Sequence, residues 1–334
     1  MRYRPNLHNS MSTALTALAS GPDNGLLVAS RQLKYASLIE SRFPGLHDKI
    51  QQAIHQSENR YQGTPDSSSS FLWEHSTHVA SLAHRLAQTE HVDPMIPVIA
   101  ALLHDAGKFA GGSYHEDGSV EEEESARIAG GLLREAGMRP VDIEQVIDGL
   151  KALYNEKAGK NVVADFVHDA DLLSKFGALG VAAFFVKSAL RGRTLGTAVF
   201  QHLSKELTYA ACLPENMRTA AGRTLATKKA GDSLKFFGAL LDELRDAQIA
   251  DLKIRRIRVA CADHSDPSRE VLLVHPPVCP ACGGRWIHTG TVERGIKCRK
   301  LSVEIRCRRC GDRSETSFCL PEIMSFGTSR TDRE

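Results

Sequence analysis

From Phe71 onward the apolar positions fall at helical spacing. Leu72, His75, Val79, Leu82 and Leu86 follow i, i+3, i+4 steps, which puts His75 on the same inward face as the leucines. A second segment, Ile96–Phe109, is densely apolar up to Leu103 and then reads His104-Asp105-Ala106-Gly107-Lys108, so a polar pair closes a buried helix. Helical patterns recur at Ser125–Ala136, Ile143–Tyr154, Val162–Phe176, Gly180–Leu190 and Ser233–Gln248, the last with Leu234, Phe237, Leu241 and Leu244 in one stripe. Upstream, the pattern predicts a helix from Gln32 to Asn59, interrupted near Pro44, after 30 residues without sustained periodicity. The stretch Gln62–Ser70, QGTPDSSSS, predicts a linker ending in a serine N-cap. After Asp251 the pattern changes to short β-branched or aliphatic runs, Ile254, Ile257 and Val259 and then Val271–Val274, broken by turn formers. The expected architecture is mainly α: a helical N-terminal extension over 1–65, an all-helical domain over 66–250, a small β-rich module over 251–325 and a flexible tail over 326–334.

Composition narrows the class. The 334 residues are 42% hydrophobic and 25% charged, which excludes wholesale disorder. No apolar run approaches the roughly 18 residues of a membrane helix. Residues 251–334 hold 16 Lys and Arg against 11 Asp and Glu, leaving 26 against 29 upstream, so a slightly acidic body carries a basic C-terminal part. Six of the eight cysteines lie between Cys279 and Cys319, and the first 211 residues have none. Met1–Gly21 offers only the weak apolar stretch Ala14–Ala19 as an export signal, so a reducing cytoplasm is the expected location, where clustered cysteines hold metal.

Three separated pieces supply metal-ligand residue types: His75, the pair His104-Asp105, and Asp171 in His168-Asp169-Ala170-Asp171. A divalent ion that activates water for attack on phosphorus needs mixed imidazole and carboxylate ligands on a rigid frame. A His-Asp dipeptide alone is weak evidence, since His168-Asp169 is a second one. Order and context add to it. His75, then Ala100-Ala-Leu-Leu-His104-Asp105-Ala-Gly-Lys108, then Asp169-Ala-Asp171-Leu-Leu173 resembles the HD superfamily of metal-dependent phosphohydrolases. Residues 169–180 and Asn216–Ala226 are similar to its branch of small nucleotide pyrophosphohydrolases. The resemblance covers roughly 71–248 and implies that His75, His104, Asp105 and Asp171 hold a catalytic Mn, Mg, Co or Fe ion. Departures from the branch are His78, where an arginine is usual, and Tyr154, where many relatives carry a histidine.

In that chemistry Asp105 orients or deprotonates the attacking water, and Lys108 either neutralises a phosphate oxygen or is a solvated helix-end lysine. His78 is divided between a substrate contact and a satisfied helix histidine. Lys175, one turn after Asp171, is a weaker candidate for the same phosphate contact as Lys108 or a plain surface residue, His84 and His91 read as surface residues, and His168 and Asp169 as supports for Asp171. Glu121–Glu124 complement a helix dipole or, with His115 and Glu116, supply a proton donor.

Cys279-Pro-Ala-Cys282 and Cys307-Arg-Arg-Cys310 are two knuckles whose four thiolates suit structural zinc and resemble a zinc ribbon, with Cys298 and Cys319 left over. Between Arg294 and Arg313 eight Lys or Arg face only Glu304 and Asp312. Such a surface contacts nucleic acid or protein, stays solvated, or docks on the acidic body. The sequence thus points to a phosphohydrolase of a nucleotide or related phosphate ester, without a membrane partner. The rivals are a nucleotide-sensing or nucleic-acid-binding regulator and a metal-dependent nuclease.

Overall fold

In this computed structural model the described residues are 34–62, 70–109, 121–155, 159–261, 269–294 and 299–320. The readings of 1–33 and of the tail 326–334, most of the serine-rich linker, His115, Glu116 and Cys298 lie outside them, as does the side chain of Cys319.

The helices are α1 Lys34–Arg42, α2 Leu46–Gln62, α3 Phe71–Thr89, α4 Met95–Leu103, α5 Glu121–Glu135, α6 Pro140–Ala152, α7 Val162–Ser174, α8 Gly177–Leu190, α9 Leu203–Cys212 and α10 Ala220–Asp246, with short helical turns over 195–202 and 213–216. The strands are β1 Lys253–Cys261, β2 Arg269–His275, β3 Trp286–Arg294, β4 Arg299–Cys307 and β5 Arg313–Leu320. The fold is therefore mainly α with a small β-rich C-terminal module.

The break between α1 and α2 falls at Pro44, where Gly45 takes a positive φ of 76°. Ser70 caps α3, its Oγ accepting from the Trp73 N–H at 2.9 Å, as the serine run predicts. Ser70 Oγ in turn donates to the buried Glu58 carboxylate, which ties α2 to the start of α3. Two elements differ from the periodicity. The pattern from Ser233 is the second half of one 27-residue helix that starts at the Thr219 cap, because the alanine-rich stretch 220–232 packs through small side chains that leave no apolar stripe. The helix α9 was not predicted, since Leu203, Leu207 and Ala210 supply too short a stripe.

Tyr35, Ile39, Leu46, Ile50 and Ile54 of α1 and α2 share one core with α3 to α7. That packing covers His84, which is buried rather than a surface residue; burial, and secondarily Lys34, lower its pKa. A second cluster joins Val181, Leu203, Leu207, Phe237 and Leu241 to Leu252 and Leu272 at the start of the β module. The strand order is β2-β1-β3-β4-β5, antiparallel except for the short parallel β1–β3 pairing. The edge strand β2 is covered by α9: Thr208 Oγ1 donates to Leu272 O and accepts from Leu272 N–H, and Ser204 Oγ accepts from Val274 N–H.

Among the described residues no single helix is long and apolar enough to cross a membrane; α7 and α8 taken together are bent by 71°.

Candidate active site and a four-cysteine centre

Three helical elements converge on one point. His75 lies one turn into α3, His104 and Asp105 follow the last residue of α4, and Asp171 sits in the last turn of α7. His75 Nε2 stands 3.2 Å from Asp171 Oδ1 and 3.7 Å from Asp105 Oδ2. His104 Nε2 stands 3.6 Å from Asp105 Oδ1 and 3.9 Å from Asp171 Oδ1. One ligand atom each from His75, His104 and Asp171 lies within 4.8 Å of the others.

The surroundings of these side chains decide what they can hold. His104 Nδ1 lies 2.7 Å from Ala101 O, so its proton is on Nδ1 and Nε2 presents a lone pair to the site. That Nε2 is buried without a hydrogen-bond partner, and Asp171 Oδ1, also buried, receives no well-directed hydrogen bond. Two acceptors left facing each other in a low-dielectric interior are costly unless a cation joins them. The residues therefore fit a divalent ion held by His75, His104 and Asp171, with Asp105 against both rings.

Electrostatics agree with that fit. Burial keeps the His75 ring below its ordinary pKa despite the two carboxylates, so it is neutral and able to ligate. Burial alone would raise Asp105, but His104, Lys108 and His75 hold it below the usual carboxylate range. Against the same burial, Lys175 and then the two imidazoles hold Asp171 well below its ordinary value.

Lys108 Nζ is 2.7 Å from Asp105 Oδ2, so the structure places it on a site carboxylate rather than in solvent. Lys175 is exposed, in keeping with its surface reading, but it also pairs with the site: Nζ lies 2.9 Å from Asp171 Oδ2. One helical turn of separation puts it back over Asp171. Tyr154 is 47% exposed but turns its hydroxyl inward to donate to Asp171 Oδ2, and the desolvation of that hydroxyl, followed by Asp171 itself, raises its pKa well above the ordinary phenol value. Tyr154 and Lys175 thus occupy Oδ2 and leave Oδ1 turned to the imidazoles.

Sequence reasoning missed Ser125. Its Oγ donates to His104 O at 2.8 Å and accepts from Gly107 N–H at 2.9 Å, pinning the turn that carries His104 and Asp105. Gly107 is required there, since a Cβ would lie 2.5 Å from Glu121 O and 2.6 Å from Ser125 N. Asp169 does not support Asp171; it accepts from Arg218 N–H, Thr219 N–H and Thr219 Oγ1–H at 2.7–2.9 Å and anchors the start of α10. His168 lies 3.0 Å from Asp169.

From His75 a cleft of about 690 Å³ opens between α3, α8 and α9. Lys175, Lys187, Arg191, Arg193 and Lys205 line it, against Glu74 and Glu206. Burial, then Lys175 and Lys108, push Lys187 down to about 8. His78 also faces the cleft, and burial, followed by Lys229 and His75, brings it to about 4.

In the β module Cys279, Cys282, Cys307 and Cys310 bring their four Sγ atoms within 4.8 Å of one another. The pairs Cys279–Cys310 and Cys282–Cys307 are 3.7 and 3.5 Å apart. Four thiolates around a tetrahedral zinc stand about 3.8 Å apart. Gly283 and Gly311 turn each knuckle at φ 68° and 76°. Backbone N–H groups, first that of Cys310, lower Cys307 to about 6.

Residues 72–175 match the family model of the HD domain. Solved structures to which the chain is similar include a predicted HD superfamily hydrolase from an uncultured Thermotogales bacterium, at 20% identity and a TM-score of 0.41, covering 58% of this chain and 91% of that one. Another is YpgQ from Bacillus subtilis in complex with ADP, at 22% identity and a TM-score of 0.43, covering 59% and 96%. A third is an HD-superfamily hydrolase from Bacillus thuringiensis, at 20% identity and a TM-score of 0.43, covering 60% and 98%. No curated protein matches the chain.

Proposed function

We propose that the protein is a metal-dependent phosphohydrolase acting on a nucleotide or related phosphate ester in the cytoplasm. The observation that carries the reading is the junction of two imidazoles and two carboxylates with a cationic cleft, since Lys175, Lys187, Arg191, Arg193 and Lys205 supply charge for a ligand bearing several negative oxygens. His75, His104, Asp105 and Asp171 would hold a divalent ion, which when bound would supply Lewis acidity and lower the pKa of water.

The chain's own residues do the rest. Asp105, kept ionised by His104, Lys108 and His75, accepts a proton from water or orients it. Lys108 holds Asp105 Oδ2, and Tyr154 and Lys175 hold Asp171 Oδ2, so neither carboxylate rotates away. The cationic wall draws the phosphates toward His75, and a bound polyanion offsets the burial and the repulsion from Lys175 and Lys108 that depress Lys187. The four cysteines hold a structural zinc that makes the β module a zinc ribbon.

A nucleotide and phosphate-ester panel with Mn²⁺, Mg²⁺, Co²⁺ or Fe²⁺ tests the reading. The wild type is expected to release phosphate or pyrophosphate in a metal-dependent way, and His104→Ala and Asp105→Ala to lose at least about a hundredfold in kcat/KM. No metal-dependent turnover on any substrate would overturn it.

A further inference from the structure

A second cleft, of about 550 Å³, opens in the β module, and none of its wall comes from a helix. Arg255, Arg256 and Ile257 of β1, His275 of β2, Arg285, and Trp286 and His288 of β3 form it with Pro277 and Val278, and among the described residues no acidic side chain lines it.

The wall is built rather than loose. Trp286 Nε1 donates to Pro276 O at 3.0 Å, and the same carbonyl takes the His275 Nδ1 proton at 2.7 Å. With Nδ1 protonated, His275 Nε2 is an acceptor, so His288 Nε2–H donates to it across 2.9 Å. The two rings lie 4.9 Å apart, and the indole stands edge-on to His275 at 81°. Burial lowers both histidines, which leaves them neutral and leaves the positive charge to the arginines.

Those arginines differ in their partners. Arg256 and Arg258 share Glu270. Arg255 and Arg285 are exposed at the cleft and meet no carboxylate among the described residues. Arg308 and Arg309 continue the basic edge past Arg285, whose carbonyl accepts from Arg308 N–H. A hydrogen-bonded aromatic wall whose rings are set at angles to one another, rimmed by the Arg255 and Arg285 guanidinium groups, offers ring surface to an unstacked base and charge to its flanking phosphates. The volume is that of a small-molecule site, enough for one base and its sugar. An acidic peptide would satisfy the arginines but not use the indole and imidazole faces.

We infer that this cleft binds a single-stranded nucleic acid, one base lying against Trp286 and His288 and the adjoining phosphates on Arg255 and Arg285. The inference stands on the β module and does not depend on the reading of the HD residues.

Fluorescence anisotropy of a labelled thymidine or uridine oligomer of about 20 nucleotides tests it, with the full, zinc-loaded chain and no added divalent metal, between about 50 and 200 mM salt. Binding is expected to fall steeply with salt. Arg255→Ala with Arg285→Ala weakens it more than tenfold and lowers the salt slope by about two. Trp286→Leu weakens it by about 5- to 100-fold with the slope unchanged. No binding at the lowest salt, equal competition by polyglutamate, full displacement by equimolar free nucleotide, or unchanged affinity in the double arginine variant would each overturn it. If Trp286→Leu loses its zinc, the arginine variant decides, because both side chains are exposed and outside the core.

Discussion

Asp171 is the residue on which most of the site's order depends, because each of its oxygens has a different task. Tyr154 and Lys175 engage Oδ2, and Oδ1 is left to the imidazoles. Tyr154→Phe therefore frees the carboxylate to rotate, and Mn²⁺ affinity should fall about 10- to 100-fold in a calorimetric titration while the melting temperature hardly moves. His78 gives a pH signature at the same scale. Its folded pKa of about 4 lies below the ordinary 6.5, so as pH falls the unfolded chain takes up the proton first. Its contribution is complete above 6.5 and is lost between 6.5 and about 4. Urea denaturation of the metal-free protein should show stability dropping over that window, and His78→Asn should flatten the drop.

At the scale of elements, the decisive piece is the turn after α4. Its residues are held against His75 of α3 and Asp171 of α7 by α5 closing over the turn, Ser125 bonding on one side to His104 O and on the other to Gly107 N–H. Ser125→Ala strands both buried groups and should cost about 1–3 kcal/mol in chemical denaturation. Gly107→Ala, facing backbone atoms of α5 at under 3 Å, should push the helices apart and abolish divalent-ion binding as well as lower stability. The α7 helix works on two fronts, with Asp171 facing the site and Asp169 two residues earlier gripping the start of α10. A helix turns about 100° per residue, so these two carboxylates point to different neighbours.

For the whole molecule, the helical body and the β module meet through α9, whose Ser204 and Thr208 cover the β2 edge. The body has its own core of more than thirty buried side chains, whereas the sheet has a core of Val259, Val271, Leu273, Val292, Leu301, Val303 and Ile305. A zinc at the four cysteines would add to a core that small, since structural zinc contributes on the order of 10 kcal/mol where it is bound. Metal analysis should find about one tightly held zinc, and a strong chelator should unfold the β module, seen in Trp286 fluorescence, while the helical circular dichroism persists. Absence of zinc would remove the ribbon.

Features set by local spacing could be read from the chain alone. The inward stripe bearing His75, the polar pair ending a buried helix, and the two Cys-X-X-Cys knuckles are all short-range patterns, because helix period and turn geometry act over a few residues. Periodicity assigns a side chain to a face but not to the neighbour that face meets. For that reason the contacts of Tyr154 and Lys175 with Asp171, the burial of His84, the grip of Asp169 on α10 and the pairing of His275 with His288 were decided by tertiary packing. Each joins elements whose relative placement depends on how their cores interlock, and that is a property of the folded chain rather than of any segment.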